Sequence, residues 1–93
     1  MADVIKKYHV EFSRRAQKKI DKLDSKIRTR ILNWINNKLE GCENPRLHGH
    51  SLEGDLRNYW RYRVGDYRLV AEIFDDKIII TVVNVEKRDS VYK

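Results

Sequence analysis

The feature that most constrains the fold is the run of residues 59–70, in which two alternating segments flank the pair Gly65-Asp66. A two-residue glycine-aspartate loop between β-rich segments predicts a β-hairpin with a type II′ turn, because Gly65 supplies the positive φ at the first central position. Such a turn fixes the register of the two strands. Arg63 then lies opposite Arg68, and successive side chains alternate between the two faces of the sheet.

One face of this hairpin is apolar and the other is basic. The apolar face comprises Trp60, Tyr62, Val64, Leu69 and Ala71. The basic face, called the arginine face below, comprises Tyr59, Arg61, Arg63 and Arg68. Directly opposed arginines destabilise a sheet unless a negative group lies between them. We therefore expect the arginine face to bind an anion.

The segments before the hairpin predict one strand and two helices. Alternation over residues 8–12 predicts the strand. Ser13 is a suitable N-cap for a first helix, Asp24 and Ser25 offer the cap for a second, and Gly41 ends the pattern. The apolar positions with helical spacing are Ala16, Ile20, Leu23, Ile27, Ile31, Trp34, Ile35 and Leu39.

Residues 78–85 are β-branched almost throughout and apolar side chains fall on both sides, which predicts a central strand. The order β-α-α-β-β-β predicts an α+β fold with a helical hairpin packed on one face of an antiparallel sheet. If Asp75-Asp76 form a two-residue turn, Arg68 lies beside Val83.

The last strand leaves one assignment open. Strict alternation from Val83 places Lys87 on the arginine face. A bulge, or an end of the strand before that point, places Arg88 there instead.

Composition narrows the class of partner. The 93 residues suffice for one modest core, so we expect a single domain over residues 1–93. Twenty Lys and Arg against fourteen Asp and Glu give a net charge of +6, which favours a polyanion or an acidic protein as partner. The lone Cys42 cannot form an intramolecular disulfide, and the chain shows neither a signal peptide nor a membrane span, so we expect a cytoplasmic protein.

The arginine face suits phosphate, because the planar guanidinium donates two parallel hydrogen bonds and stays charged near neutral pH. Neighbouring tyrosines stack on unpaired RNA bases. His48 and His50, two apart in the loop of residues 41–57, are either acid-base groups or ordinary polar surface. The expected RNA contacts beside the arginines are Tyr59, Lys87, His48 and His50. No clustered ligands suggest a metal, and we expect neither a metal nor a cofactor.

Motifs over nearly the whole chain carry a family resemblance. They are Ala16 and Lys22-Leu23 in the helical hairpin, Asn44-Pro45, Leu52-Glu53-Gly54, the run 60–70, and Lys87-Arg88 with Val91-Tyr92. In these motifs the chain resembles the RelE branch of the RelE/ParE superfamily of bacterial toxins. The resemblance implies the toxin of a type II toxin-antitoxin system, a ribosome-dependent endoribonuclease (mRNA interferase). It implies cleavage of mRNA in the ribosomal A site by metal-independent attack of a 2′-hydroxyl on the phosphodiester. A RelB-like antitoxin is the implied partner, with the toxin a monomer alone and a hetero-oligomer in the complex.

The resemblance also assigns roles to site residues. Arg68 and Arg88 would stabilise the charge on the phosphate, and Tyr92 would orient the substrate. Relatives carry lysines, one of them proposed as the base, where this chain has Arg61 and Arg63. Arginine does not readily give up its proton, so these two residues would bind and stabilise the anion. If a strong base is used, the candidates are Tyr92, His48, His50 and a ribosomal group.

The alternative function comes from the ParE branch, whose members look alike in fold but inhibit DNA gyrase by binding, without cleaving RNA. ParE-like proteins generally lack the basic and tyrosine ending that Arg88 and Tyr92 provide here. That ending favours RNA cleavage.

Overall fold

The computed structural model describes residues 6–52 and 58–87. Two helices pack on a five-stranded sheet with the strand order β1-β5-β4-β3-β2. The elements are β1 (His9–Phe12), α1 (Arg14–Asp21), α2 (Ser25–Lys38), β2 (His50–Ser51), β3 (Tyr59–Val64), β4 (Tyr67–Phe74) and β5 (Ile79–Lys87). The predicted α+β fold with a helical hairpin on one sheet face is confirmed, as is the central position of the last strand.

Both helices begin at the predicted caps. The Ser13 hydroxyl accepts a hydrogen bond from the Ala16 amide at 3.1 Å, and the Asp24 carboxylate accepts one from the Lys26 amide at 3.1 Å. These bonds satisfy amides that a helix leaves unpaired at its N-terminus. The helices cover the apolar sheet face, and the core comprises Tyr8, Ala16, Ile20, Ile31, Ile35, Leu39, Tyr62, Val64, Leu69, Ala71, Ile73, Ile80, Val82 and Val85.

The sheet differs from the prediction at its two edges. It is mixed rather than wholly antiparallel, because β1 runs parallel to β5, with His9 beside Ile79. Parallel neighbours need a long crossover, and here both helices and three strands separate them. At the other edge β2 pairs with β3, inside the segment that the sequence predicts as loop. Within the described ranges, no helix is long and apolar enough to cross a membrane.

The hairpin of β3 and β4 has the predicted register, with Arg63 opposite Arg68. Gly65 has φ of +61°, the positive value that a type II′ turn requires at this position. Since a side chain at Gly65 would approach the Arg30 guanidinium to about 3.0 Å, this turn also packs closely against α2.

The register between β4 and β5 corrects the prediction. Phe74 pairs with Ile79, so the turn holds four residues instead of two. A bulge lies opposite Val70 and Ala71, which pair with Asn84 and Val82, and this leaves Val83 as the extra residue. As a result, Arg68 lies opposite Glu86 and not Val83.

Candidate functional site

Three arginines surround a cleft at the β3 end of the open sheet face. Arg61 and Arg63 lie two residues apart on β3 and share a face, and Arg68 lies opposite Arg63 on β4. The cleft has a volume of about 170 Å³ and is lined by His50, Arg61, Tyr62, Arg63 and Arg68; it is called the arginine cleft below. Three fixed positive charges around one small volume have the chemistry that suits an anion with several oxygen atoms.

Strand β2 brings His50 to this cleft. His50 pairs with Arg61 in antiparallel register, so their side chains stand on the same face of the sheet. The preceding residue, Gly49, makes the close approach possible. A Cβ atom at Gly49 would collide with the Arg61 carbonyl oxygen and lie 2.9 Å from the Trp60 indole nitrogen, and its φ of +81° is one that side chains rarely adopt.

The segment before β2, residues 41–49, is called the Pro45 loop, and hydrogen bonds fasten it to the sheet. The buried Tyr62 hydroxyl donates to the Pro45 carbonyl at 2.5 Å. The Trp60 indole N–H donates to the His48 carbonyl, and the Arg46 guanidinium lies 5.9 Å from the Trp60 ring centre. These contacts hold the loop, and therefore β2, in one place.

A side-chain fork ties the same loop to the β4–β5 turn. Arg46 donates two hydrogen bonds of 3.0 Å to the two carboxylate oxygens of Asp75, and the Tyr8 hydroxyl donates a third at 2.7 Å. These bonds, led by the one from Arg46, hold the pKa of Asp75 below its usual range. The sequence pattern did not predict this contact, because Arg46 and Asp75 lie 29 residues apart in the chain. In addition, the pair Asp75-Asp76 has the composition of an ordinary turn.

His48 and His50 have different surroundings. The His48 ring lies edge-on to Trp34 of α2, with ring centres 6.1 Å apart, and His48 is not among the residues that line the arginine cleft. Trp34 also packs against Tyr62, with ring centres 5.6 Å apart. Thus His48 joins an aromatic cluster beside α2, and His50 joins the arginines.

The other RNA contacts expected from the sequence are divided between the two faces. Tyr59 stands on the arginine face beside Glu72, whose carboxylate raises the pKa of the phenol. Lys87 pairs with Tyr67, which places it on the side of the sheet that carries the helices. Strict alternation would have placed Lys87 on the arginine face. Because of the bulge, Lys87 lies on the other face and Glu86 lies on the arginine face. Arg88 and Tyr92 lie outside the described residues.

A second, wider depression crosses the open face next to the arginine cleft and shares Arg61 with it. Its volume is about 630 Å³, and it is lined by Ser13, Arg15, Leu52, Tyr59, Arg61, Val70, Val83, Asn84 and Glu86. Arg61 therefore lies where a chain-like ligand lying along the sheet would pass from one depression to the other. In residues 6–52 and 58–87, no three His, Cys, Asp or Glu side chains are grouped to hold a metal ion.

The fold and the cleft together define a small basic α+β domain that presents a cleft lined by three arginines on an open sheet face. The chain belongs to the RelE/ParE toxin superfamily: the family model described as the ParE toxin of type II toxin-antitoxin systems matches residues 10–92. Its relatives place it in the RelE-like branch.

Among the relatives, the mRNA interferase toxin RelE of Escherichia coli is 32% identical over 83 residues, which cover 88% of this chain and 84% of that protein. The toxin-antitoxin complex RelBE2 from Mycobacterium tuberculosis has a chain that superposes with a TM-score of 0.79 at 25% identity, covering 94% of this chain and 98% of that one. The isolated E. coli RelE toxin superposes with a TM-score of 0.75 at 28% identity, covering 91% and 88%.

Proposed function

We propose that this protein is a ribosome-dependent endoribonuclease, the toxin of a type II toxin-antitoxin system, which cleaves mRNA in the ribosomal A site. The observation that carries the proposal is the arginine cleft, in which Arg61, Arg63 and Arg68 converge on one small volume. The naming of the E. coli relative as an mRNA interferase supports it. The site of action is the cytoplasm, where translated messages are found.

In the proposed reaction, the ribose 2′-oxygen attacks the adjacent phosphorus and the bond to the 5′-oxygen breaks. The products are a cyclic phosphate and a 5′-hydroxyl. Negative charge builds on the non-bridging oxygens as the 2′-oxygen approaches, and guanidinium groups already in place stabilise that charge without having to reorganise. Arg68 is the principal stabilising group within the cleft. Arg61 and Arg63 hold the phosphate from the neighbouring strand, and Arg88 and Tyr92 complete the site as the family resemblance implies.

We propose that an antitoxin of the RelB type binds and inhibits the protein in a hetero-oligomer. The similar structures include the RelBE2 complex of M. tuberculosis and the intact RelBE toxin-antitoxin complex of E. coli. The physical support is the opposed pair Arg63 and Arg68, which an acidic segment of a partner would neutralise.

Primer-extension mapping of translated messages tests the proposed activity. Expression of the protein is expected to produce discrete 5′-ends within translated codons, and the same RNA without ribosomes is expected to stay intact. Growth arrest with intact messages would contradict the proposal. The alternative, inhibition of DNA gyrase by binding, has less support because curated relatives are named mRNA interferases. A supercoiling assay with purified protein tests it directly.

A further inference from the structure

We propose that His50 is the catalytic residue that accepts the proton of the ribose 2′-hydroxyl. This proposal rests on the proposed RNA cleavage and adds a proton acceptor to it. The need arises from the lining of the arginine cleft, where the fixed positive charges are the guanidinium groups of Arg61, Arg63 and Arg68. A guanidinium keeps its proton at neutral pH, so neither Arg61 nor Arg63 is suited to act as a base.

Among the described residues that line the cleft, His50 is the one whose side chain ordinarily accepts a proton near neutral pH. The lining comprises His50, Arg61, Tyr62, Arg63 and Arg68. Burial raises the pKa of the Tyr62 phenol, and its hydroxyl already donates a hydrogen bond to the Pro45 carbonyl. Tyr62 is therefore poorly suited to accept a proton. Imidazole is the only side chain that ordinarily titrates between about pH 5 and 8.

The position of His50 depends on contacts outside the cleft. Its register partner is Arg61, so the imidazole and that guanidinium share a face and reach toward the same phosphodiester. Gly49 allows the chain to approach β3 closely, and the bond from the Trp60 indole to the His48 carbonyl fixes the residue before it. These contacts position the backbone of His50 beside β3.

The charged groups around His50 suit a base that works beside an anion. Arg61 and Arg63 face it from β3, and Arg68 faces it from β4. The carboxylate of Glu86 lies beyond Arg68 on β5 and accepts a hydrogen bond from the Asn84 amide at 2.9 Å. In the described part of the chain, the cleft lining holds no carboxylate to compete with the imidazole for the 2′-hydroxyl proton.

Water is the only reactant that this step needs besides the RNA. Neutral His50 takes the 2′-hydroxyl proton as the 2′-oxygen bonds to phosphorus. The bond between phosphorus and the 5′-oxygen breaks, and the departing oxygen takes a proton from water. The resulting hydroxide recovers the proton from His50. No electrons are transferred, and the two products together contain all the atoms of the substrate.

Single-turnover cleavage of a message on purified programmed ribosomes tests the proposal, between about pH 5.5 and 8.5. The wild-type rate is expected to rise through one imidazole titration. His50→Gln is expected to lower the rate about 100-fold or more at the upper end and to remove that rise, with ribosome affinity kept within about threefold. His50→Ala is expected to regain activity with added imidazole. His9 lies on β1, at the opposite edge of the sheet. His9→Ala serves as the control and is expected to keep the wild-type dependence of the rate on pH.

Each outcome decides the proposal. A His50→Gln rate within about threefold of wild type overturns it, and so does a slow variant that keeps the wild-type rise with pH, since that result assigns His50 a structural role. An absence of cleavage by the wild type on ribosomes is a separate result, which overturns the proposed function and this inference together. Amide NMR spectra of His50→Gln that match the wild type outside β2 and β3 exclude misfolding as the cause of a lost rate.

Discussion

Arg63 and Arg68 are paired directly across β3 and β4, so two positive charges share one face of the sheet. Like charges at such a position destabilise a hairpin. The register also places the acidic residue Glu86 opposite Arg68, on β5. The pairing is therefore expected to lower the stability of the free protein, and an anion bound between the two guanidinium groups would remove that cost.

Replacing Arg63 with glutamine is expected to stabilise the free protein. Arg63→Gln removes the repulsion and should raise the free energy of unfolding by about 0.2 to 1 kcal/mol at low salt, a gain that shrinks near 1 M salt. Arg68→Gln is the matched variant, and it should gain less because Arg68 also lies opposite the acidic residue Glu86, a cross-strand pairing that favours opposite charges. Denaturant unfolding at the two salt concentrations measures both. A less stable Arg63→Gln at low salt would contradict the account.

The Asp75 carboxylate should make stability depend on pH. Because its pKa is lowered in the folded protein, mainly by Arg46, the ionised form stabilises the fold above the ordinary carboxyl range, and this contribution is lost as pH falls through the lowered pKa. Asp75→Asn should therefore cost up to about 1 kcal/mol at pH 7, since both partners are partly exposed.

The difference between wild type and Asp75→Asn should shrink as the pH falls through the lowered pKa of Asp75, because the wild-type carboxyl then becomes protonated as well. Urea unfolding at a series of pH values provides the measurement. Asp76→Asn, at the adjacent carboxylate outside the fork, should show no such convergence. A difference that stays constant down to low pH would argue against the fork.

Gly49 and Gly41 offer a matched pair of alanine substitutions. Both have positive φ, +81° and +79°, but a Cβ at Gly41 has no neighbour within 4 Å, and one at Gly49 collides with the Arg61 carbonyl. Gly41→Ala should cost about 1 to 2 kcal/mol from backbone strain alone. Gly49→Ala should cost more and should displace β2, with large amide shifts at His50. Equal stability of the two variants would contradict the proposed close approach.

Local signals predicted the fold well where the structure is locally determined. Gly65 sets the β3–β4 register because it lies inside the turn, and the caps at Ser13 and Asp24 set the helix starts. The predicted register between β4 and β5 was wrong, and the reason is also local. Its turn includes Ile78 with φ of +57°, a conformation that a β-branched residue is not expected to adopt.

The candidate site was predicted in part. Its three arginines follow from alternation, but the position of His50 depends on tertiary contacts that carry no period in the sequence. The fork between Arg46 and Asp75 and the bond from Tyr62 to Pro45 join residues far apart in the chain. For the same reason, the sequence pattern could not distinguish His48 from His50. In the structure His48 packs against Trp34, whereas His50 lines the arginine cleft.

The most direct test of the central claim is the rate of message cleavage on translating ribosomes by wild type, Arg68→Ala and Arg14→Ala. Arg14 is an exposed residue of α1, so its variant removes one positive charge away from the cleft. We expect Arg68→Ala to cleave about 100-fold more slowly, from a loss of about 3 kcal/mol of transition-state stabilisation, with an unchanged circular dichroism spectrum. Arg14→Ala should keep a rate within about threefold of wild type. Cleavage by Arg68→Ala at the wild-type rate would contradict the claim that the arginine cleft holds the scissile phosphate.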